Sequence, residues 1–209
     1  MTQDEKLVFH HDFTLRRLGH DPRRVNELTF EEISSKSISK GRMTSRFPDF
    51  EEYMRLAKDL DQKILVELKP DSLKSPDVIH KVVKVVQDLE MEDMVYYQSL
   101  DKQLVLDMKQ AYPDTIVGYI IGFNIGRLEK LDIDFYSLEA SAVSQKAVRT
   151  VDSWNKGLFV WTVNDYNGIT TYLDMQVTGI ITDNARIALD ARMKSPTFSI
   201  VEKIWQLLL

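Results

Sequence analysis

From residue 60 onward, strand-like and helix-like segments alternate along the chain, and this alternation restricts the fold more than any other feature. Short apolar runs at 64–68, 94–98, 115–121, 135–138, 158–163 and 179–182 read as strands. Between them the apolar residues repeat at helical spacing. Asp77 opens one such helix, with Val78, Val82, Val85 and Leu89 on a single stripe. Ser99 caps another, which must stop before Pro113. Further helices are expected over about 144–154, over about 168–175, and from near Asn184, while the 122–126 stretch joins two strands directly. Ahead of this array, Asp49 precedes a helix with Phe50, Tyr53, Ala57 and Leu60 on one side and an acid three residues on from its cap. Strands alternating with helices indicate parallel βαβ units. No glycine-rich G-x-G-x-x-G turn or P-loop follows any strand, which disfavours a nucleotide-binding doubly wound sheet. A (β/α) barrel fits better.

A complete barrel of this type runs to about 250 residues, so a chain of 209 residues falls about 40 short, roughly one strand–helix–strand unit. Residues 7–11 supply a seventh strand candidate, Leu7-Val8-Phe9-His10-His11, followed by Asp12. Two missing strands added to seven would make nine, so one of the seven is not a barrel stave. The sequence does not say which.

Composition narrows the chemistry. Lys and Arg number 27 against 32 Asp and Glu, a formal charge of −5, which argues against nucleic acid as the main ligand. The absence of cysteine excludes disulfides, thiolate chemistry and cysteine-based zinc sites. No apolar leader and no long apolar span occur, so the chain as given reads as soluble, cytoplasmic by default. Residues 1–195 read as one domain. Residues 196–209 form an amphipathic helix or tail; docking on the domain's own surface is favoured over a membrane or partner, because the polar face is not rich in Lys or Arg.

Several segments, in order, carry a family likeness. They are Met1-Thr2-Gln3-Asp4-Glu5, then Phe9-His10-His11-Asp12 with Thr14-Leu15-Arg16-Arg17, and Val25-Asn26-Glu27-Leu28-Thr29-Phe30-Glu31-Glu32. Phe47-Pro48-Asp49-Phe50-Glu51-Glu52, Val66-Glu67-Leu68-Lys69, Tyr97-Gln98-Ser99-Leu100, Trp161-Thr162-Val163-Asn164 and Gly179-Ile180-Ile181-Thr182-Asp183 follow. Together these resemble the glycerophosphodiester phosphodiesterase family, most of all its bacterial members with a membrane-spanning region ahead of the barrel. The resemblance implies an α/β fold, a TIM-type (β/α) barrel that is incomplete here and lacks its first two strands. It also implies hydrolysis of a glycerophosphodiester to sn-glycerol 3-phosphate and an alcohol, with a divalent cation, Mg²⁺ or Ca²⁺, as cofactor. The substrate is then a small molecule, and any membrane association runs through a segment absent from this chain; an oligomer is compatible with the sequence.

Each site residue has a physical rationale of its own. An imidazole titrates near neutrality, so it can protonate a leaving alkoxide or take a proton from an attacking hydroxyl. His10 and His11 alternate across a strand, so one of them faces the interior, and the family match selects His11. Asp12 either orients that ring or satisfies a turn. Glu67 and Lys69 share one strand face, opposite Val66 and Leu68. They form either a buried pair closing a barrel layer, or a metal ligand (Glu67) beside a phosphate-binding ammonium (Lys69). Trp161 flanks the glycerol portion of a substrate or packs in the core. Asn164 and Asp183 read as helix caps and loop braces, Glu139 as a strand-end acid, and Arg16, Arg17, Arg23 and Arg24 as a solvated basic face. A weaker reading makes Glu67 and Glu139 the carboxylates of a glycosidase, which requires a separation of about 5 to 9 Å.

Family members open with a strand carrying H-R-G, which supplies a second acid/base histidine, and a strand carrying E-x-D, which supplies metal ligands. Neither precedes Met1 here, and Glu5 and Asn184 stand where Gly and Pro are usual. The expectation is a fragment of a longer enzyme, its activity in doubt because half of a cooperating pair is missing. A degenerate relative and a barrel completed by another chain are the alternatives.

Overall fold

The structure, a computed structural model, describes residues 1–40, 43–69, 75–122 and 127–195. The C-terminal helix expected over 196–209, Pro70, and most of the 122–126 connection lie outside the described residues. Six strands form one sheet in the order β3-β4-β5-β6-β7-β8: β3 (Ile64–Glu67), β4 (Val95–Ser99), β5 (Ile116–Ile121), β6 (Phe135–Glu139), β7 (Gly157–Trp161) and β8 (Gly179–Ile180). Every strand lies beside its neighbour in sequence, so the sheet has no switch point where a doubly wound fold would reverse direction. The pairs β5–β6, β6–β7 and β7–β8 are parallel, as helical crossovers require. These are the six strands read after residue 60. The seventh candidate is the one that fails: in 7–11 only Val8 makes a β-bridge, antiparallel to Asp49. Its apolar residues serve helix packing instead, with Phe9 stacked on Phe50 at 4.8 Å and against Tyr53 at 4.5 Å.

The chain divides into two compact units, one from Met1 to Tyr96 and one from Tyr97 onward. The first contains α1 (Arg16–Gly19), α2 (Phe30–Ser34), an antiparallel hairpin of β1 (Ser37–Lys40) and β2 (Met43–Arg46), α3 (Phe50–Asp59) and α4 (Ser75–Asp88). Its N-terminal part has a core of its own, in which Leu15, Val25, Leu28, Ile33 and Phe47 are buried together. Thr29 and Glu32 form a reciprocal capping box that starts α2. Asp49 caps α3 as expected, accepting from the amides of Glu51 and Glu52. The apolar stripe of α3 is rotated from the expected one, however: Phe50, Met54 and Ala57 are buried, whereas Leu60 is 67% exposed.

The second unit is filled by ring-against-glycine packing. The parallel register sets Phe135 beside Gly118 and Phe159 beside Gly179. A methyl group on Gly118 would sit 2.1 Å from the Phe135 ring, and one on Gly179 would sit 2.5 Å from the Phe159 ring. The two rings lie 4.8 Å apart. On the opposite face, Val160 packs with Val163, with Ile169 of α7 (Tyr166–Asp174) and with Ala191 of α8 (Ala185–Lys194). Three caps differ from expectation by one or two residues. Asp101, not Ser99, caps α5 (Lys102–Ala111); Asp165, not Asn164, caps α7; and Asn184, not Asp183, caps α8. The helix expected over about 144–154 is α6 (Gln145–Asp152), capped by Ser144. Among the described residues no helix is long and apolar enough to cross a membrane.

Candidate active site

Strand β3 alternates as its sequence requires. Val66 and Leu68 are buried at 4% and 5% exposure, which turns Glu67 and Lys69 to the other face. There the Lys69 ammonium lies 3.0 Å from the Glu67 carboxylate, with both side chains between one-fifth and one-quarter exposed. Lys69 Nζ also lies 3.5 Å from Nε2 of His11, a residue 58 positions away in the chain. The first unit therefore brings three sequence-predicted residues, His11, Glu67 and Lys69, into one cluster.

His11 does not reach this place on a strand. It lies in a tight loop whose neighbours are anchored. The His10 ring bonds the Thr14 carbonyl at 2.8 Å and meets Phe47 edge-on, and Leu15 is fully buried. That leaves His11 as the exposed member of the pair, with 69% of its side chain accessible. Its Nδ1 is 2.8 Å from Asp12 Oδ1. An ionised carboxylate can only accept and an ammonium can only donate. In the neutral ring these partners favour the proton on Nδ1, with the Nε2 lone pair toward Lys69.

Asp12 is held in turn by Arg17, through Nε to Oδ2 at 2.7 Å and through a terminal nitrogen to Oδ1 at 3.3 Å. Arg17, followed by His11, keeps the Asp12 carboxyl far below the usual carboxylate range. The basic cluster read as one solvated face is thus sorted residue by residue. Arg17 grips Asp12, Arg23 pairs with Asp21, and Arg24 covers the Phe13 ring at 5.4 Å. Sequence reasoning missed Arg17; an Asp and an Arg five positions apart across a turn was the available signal.

The remaining candidates belong to the second unit. Trp161 donates from Nε1 to the Ser137 carbonyl at 3.1 Å, which pins the indole across β6. The Ser137 hydroxyl donates to Gln98 Oε1 at 2.8 Å. Glu139 accepts from the Ser141 amide at 2.9 Å and from the Ser141 hydroxyl, so its carboxylate serves the turn after β6. Asn164 is a brace between loops, holding Asp183 through both its backbone amide and its carboxylate at 2.8 Å. A cavity of about 590 Å³ is lined by Arg127, Ser144, Lys146 and Thr150 among others and includes none of the predicted site residues, so its size does not mark the chemistry.

A sheet wound in chain order, with helices between its strands, is the arrangement of a (β/α)-barrel protein, and His11, Lys69 and Glu67 cluster at the end of its first strand, β3. The chain belongs to the glycerophosphoryl diester phosphodiesterase family, whose model matches residues 1–187. It is 26% identical over 194 residues to a glycerophosphodiester phosphodiesterase of Caldanaerobacter subterraneus, covering 88% of this chain and 79% of that protein. A glycerophosphodiester phosphodiesterase of Arabidopsis thaliana is 22% identical over 195 residues, and the match spans 88% of this chain but 59% of the plant protein. Among solved structures, an Oleispira antarctica phosphodiesterase in complex with the product sn-glycerol-3-phosphate superposes with a TM-score of 0.83 at 18% identity, covering 91% of this chain and 81% of that one. A glycerophosphodiester phosphodiesterase from Parabacteroides distasonis gives 0.78 at 20% identity, over 92% and 81% of the two chains. These likenesses place the described sheet in the TIM-type barrel fold.

The divalent cation implied by the family resemblance does not fit the donors present. No group of three or more His, Asp or Glu side chains converges among the described residues. The Glu67 carboxylate is already neutralised by Lys69 at 3.0 Å. Mg²⁺ keeps several waters and is held by one or two carboxylates together with substrate phosphate, so among the described residues Glu67, paired with Lys69, is one ligand and does not by itself complete a site.

Proposed function

We propose that this chain carries part of the machinery for hydrolysing glycerophosphodiesters to sn-glycerol 3-phosphate and an alcohol, with His11 as an acid/base and Lys69 as the phosphate-facing cation. The observation that carries this reading is the approach of Lys69 Nζ to His11 Nε2 at 3.5 Å. Nε2 is the ring atom left free to exchange a proton, and the ammonium stands where a phosphoryl oxygen would gather negative charge. His11 in its neutral form takes a proton from the attacking hydroxyl as its oxygen bonds to phosphorus, while the P–O bond to the alcohol breaks and the departing alkoxide takes a proton from solvent. Where water attacks, this gives sn-glycerol 3-phosphate directly; where the neighbouring glycerol hydroxyl attacks, it gives a cyclic phosphate that water then opens in a second such step. The imidazolium that results is stabilised through Nδ1–H by Asp12, as an orienting carboxylate does in a hydrolase triad. Lys69 balances charge on the phosphoryl oxygen while Glu67 keeps the ammonium in place. Trp161, in the second unit, is proposed separately as a wall for a glycerol moiety.

Release of glycerol 3-phosphate from glycerophosphocholine is the test, made on this chain and on a version extended upstream through an H-R-G segment. Turnover that His11→Ala removes supports the reading. Assays with and without Mg²⁺ or Ca²⁺ decide the metal requirement separately. No turnover in either form overturns the enzymatic reading in favour of a non-catalytic barrel of the same family.

A further inference from the structure

We infer that Arg17 is a positioning residue for the acid/base histidine, acting through Asp12 to hold His11 in the tautomer that leaves Nε2 free. This rests on the reading of His11 given above, and it assigns a second purpose to a side chain that pattern alone placed on a basic surface. The geometry is a relay of three side chains in one loop. Arg17 approaches both oxygens of Asp12, at 2.7 Å through Nε and 3.3 Å through a terminal nitrogen, and Asp12 Oδ1 meets His11 Nδ1 at 2.8 Å. A fork fixes the plane of a carboxylate, whereas a single contact leaves it free to rotate about its χ2 bond. The plane matters because the Oδ1 lone pair aimed at Nδ1 selects the proton's position on the ring. Apart from Asp12 the ring meets Lys69 Nζ at the longer distance of 3.5 Å, and 69% of the side chain is accessible, so the 2.8 Å contact with Asp12 is the tighter constraint on it.

The loop is built so that Arg17 can do this. Leu15, between the dyad and the arginine, is fully buried beside Val25, Leu28 and Phe47. Its amide donates to the Arg23 carbonyl at 3.2 Å, and the Gly19 amide returns to the Leu15 carbonyl at 2.7 Å. These bonds fix the short helix that carries Arg17 relative to Asp12. Arg17 reaches Asp12, whereas Arg23 pairs with Asp21 and Arg24 lies over the Phe13 ring.

A merely structural clamp would stabilise the loop without affecting the ring, and the test separates the two. The readout is the pair of ring ¹⁵N shifts of His11, measured in the ligand-free protein at a pH where the ring is neutral, so it does not depend on turnover. The unsubstituted protein is expected to show one tautomer, with the proton on Nδ1. Arg17→Gln should give a mixture with the Nε2–H form, while the buried loop residues keep their amide shifts. Arg17→Lys keeps the charge but not the fork and should fall between the two. In any form that turns over, Arg17→Gln should lower kcat about 10-fold or more with KM little changed, as expected when a partner that orients a reacting group is lost. A single Nδ1–H tautomer retained in Arg17→Gln overturns the inference. If Arg17→Gln fails to fold, Arg17→Lys decides by the same shifts. If neither the parent protein nor the upstream-extended version shows turnover, the proposed function fails while the tautomer result still stands or falls by itself.

Discussion

The two units hold their side chains by opposite means. In the first, position is set by charge: Arg17 on Asp12, Asp12 on His11, Glu67 on Lys69, Lys81 on Glu5 and Arg23 on Asp21. In the second, the strands of the sheet are set by volume, with the Phe135 and Phe159 rings seated against glycines, although ion pairs such as Lys109 with Asp134 occur there too. Charge-held side chains can exchange partners, so they suit a place where a substrate must intrude. Volume-held ones cannot move without a cavity or a clash, so they suit the frame. The difference is testable, because substitutions that change charge and substitutions that change volume should have opposite consequences in the two regions.

Lys69→Met should have the largest effect, and on rate alone. It keeps the volume and removes the ammonium, so turnover in a competent form should fall by about 10²–10³, the usual cost of deleting one donor to a developing oxyanion. Stability should change by about 1 kcal/mol or less, because the pair with Glu67 is partly solvated. A variant that unfolds but keeps its specific activity when folded would put Lys69 with the frame and erase the contrast.

Gly118→Ala should do the reverse. The added methyl group meets the Phe135 ring at 2.1 Å, so the ring or the strand must move. Overpacking of this kind costs about 3 kcal/mol, roughly 10 °C in Tm for a chain of this size. Urea unfolding reads it directly. Pairing it with Phe135→Leu should recover part of the loss, leaving a coupling of about 1–2 kcal/mol between the two sites. Additive losses would mean that the ring does not occupy the glycine's space.

How much of this was legible in the sequence follows the same division. The frame was readable because buried parallel strands are continuous apolar runs. All six, from Ile64 to Ile180, were marked by the chain itself. The failed candidate shows the limit: Leu7-Val8-Phe9 is as apolar as any of them, but its residues pack on α3 rather than pairing in a ladder, and apolarity alone cannot tell those uses apart. The hairpin of β1 and β2 was missed because its polar Ser, Thr, Lys and Arg residues hide the alternation. At the site, His11, Glu67 and Lys69 were found through motifs, and the strand face shared by Glu67 and Lys69 followed from period two. Arg17 was not found. Loops have no period, and which arginine of four reaches Asp12 depends on a turn fixed by the burial of Leu15.

Acid and alkali should divide the units next. Asp4, Glu5, Asp12, Asp21 and Glu32 are all held below their ordinary values by hydrogen bonds and cationic neighbours, and all lie in the first unit. A carboxyl with a lowered folded-state pKa contributes stability that is complete above its unfolded value, near 4, and is lost as pH falls through the folded value. In the second unit, burial raises Tyr136 and Tyr172, and Asp190 raises Lys194. Those contributions are complete below the unfolded values, near 10, and are lost as pH rises. Between pH 7 and pH 3, amide protection should therefore fall first over residues 1–36. The fluorescence of Trp154 and Trp161 should hold through that range and change in the alkaline one. Simultaneous loss of both signals in acid would show the two regions melting as a single cooperative body.

The smallest effect belongs to Glu5, where the two kinds of constraint meet in one residue. Its φ of 61° is the left-handed conformation that favours glycine, yet its carboxylate pairs with Lys81 at 2.6 Å. The turn is independently fixed by Thr2, whose hydroxyl accepts from the Lys6 amide at 2.8 Å and whose carbonyl accepts from the Glu5 amide at 3.1 Å. Glu5→Gly relieves the backbone and deletes the ion pair; Glu5→Gln deletes the ion pair alone. The exposed pair is screened by salt, whereas the backbone term is not. Glu5→Gly should therefore raise Tm by about 2 °C or less. Glu5→Gln should lower it slightly at low salt and not at all in 1 M salt. A Glu5→Gly variant less stable than Glu5→Gln would mean that the left-handed residue costs nothing here, since both variants lack the ion pair and differ only at the backbone.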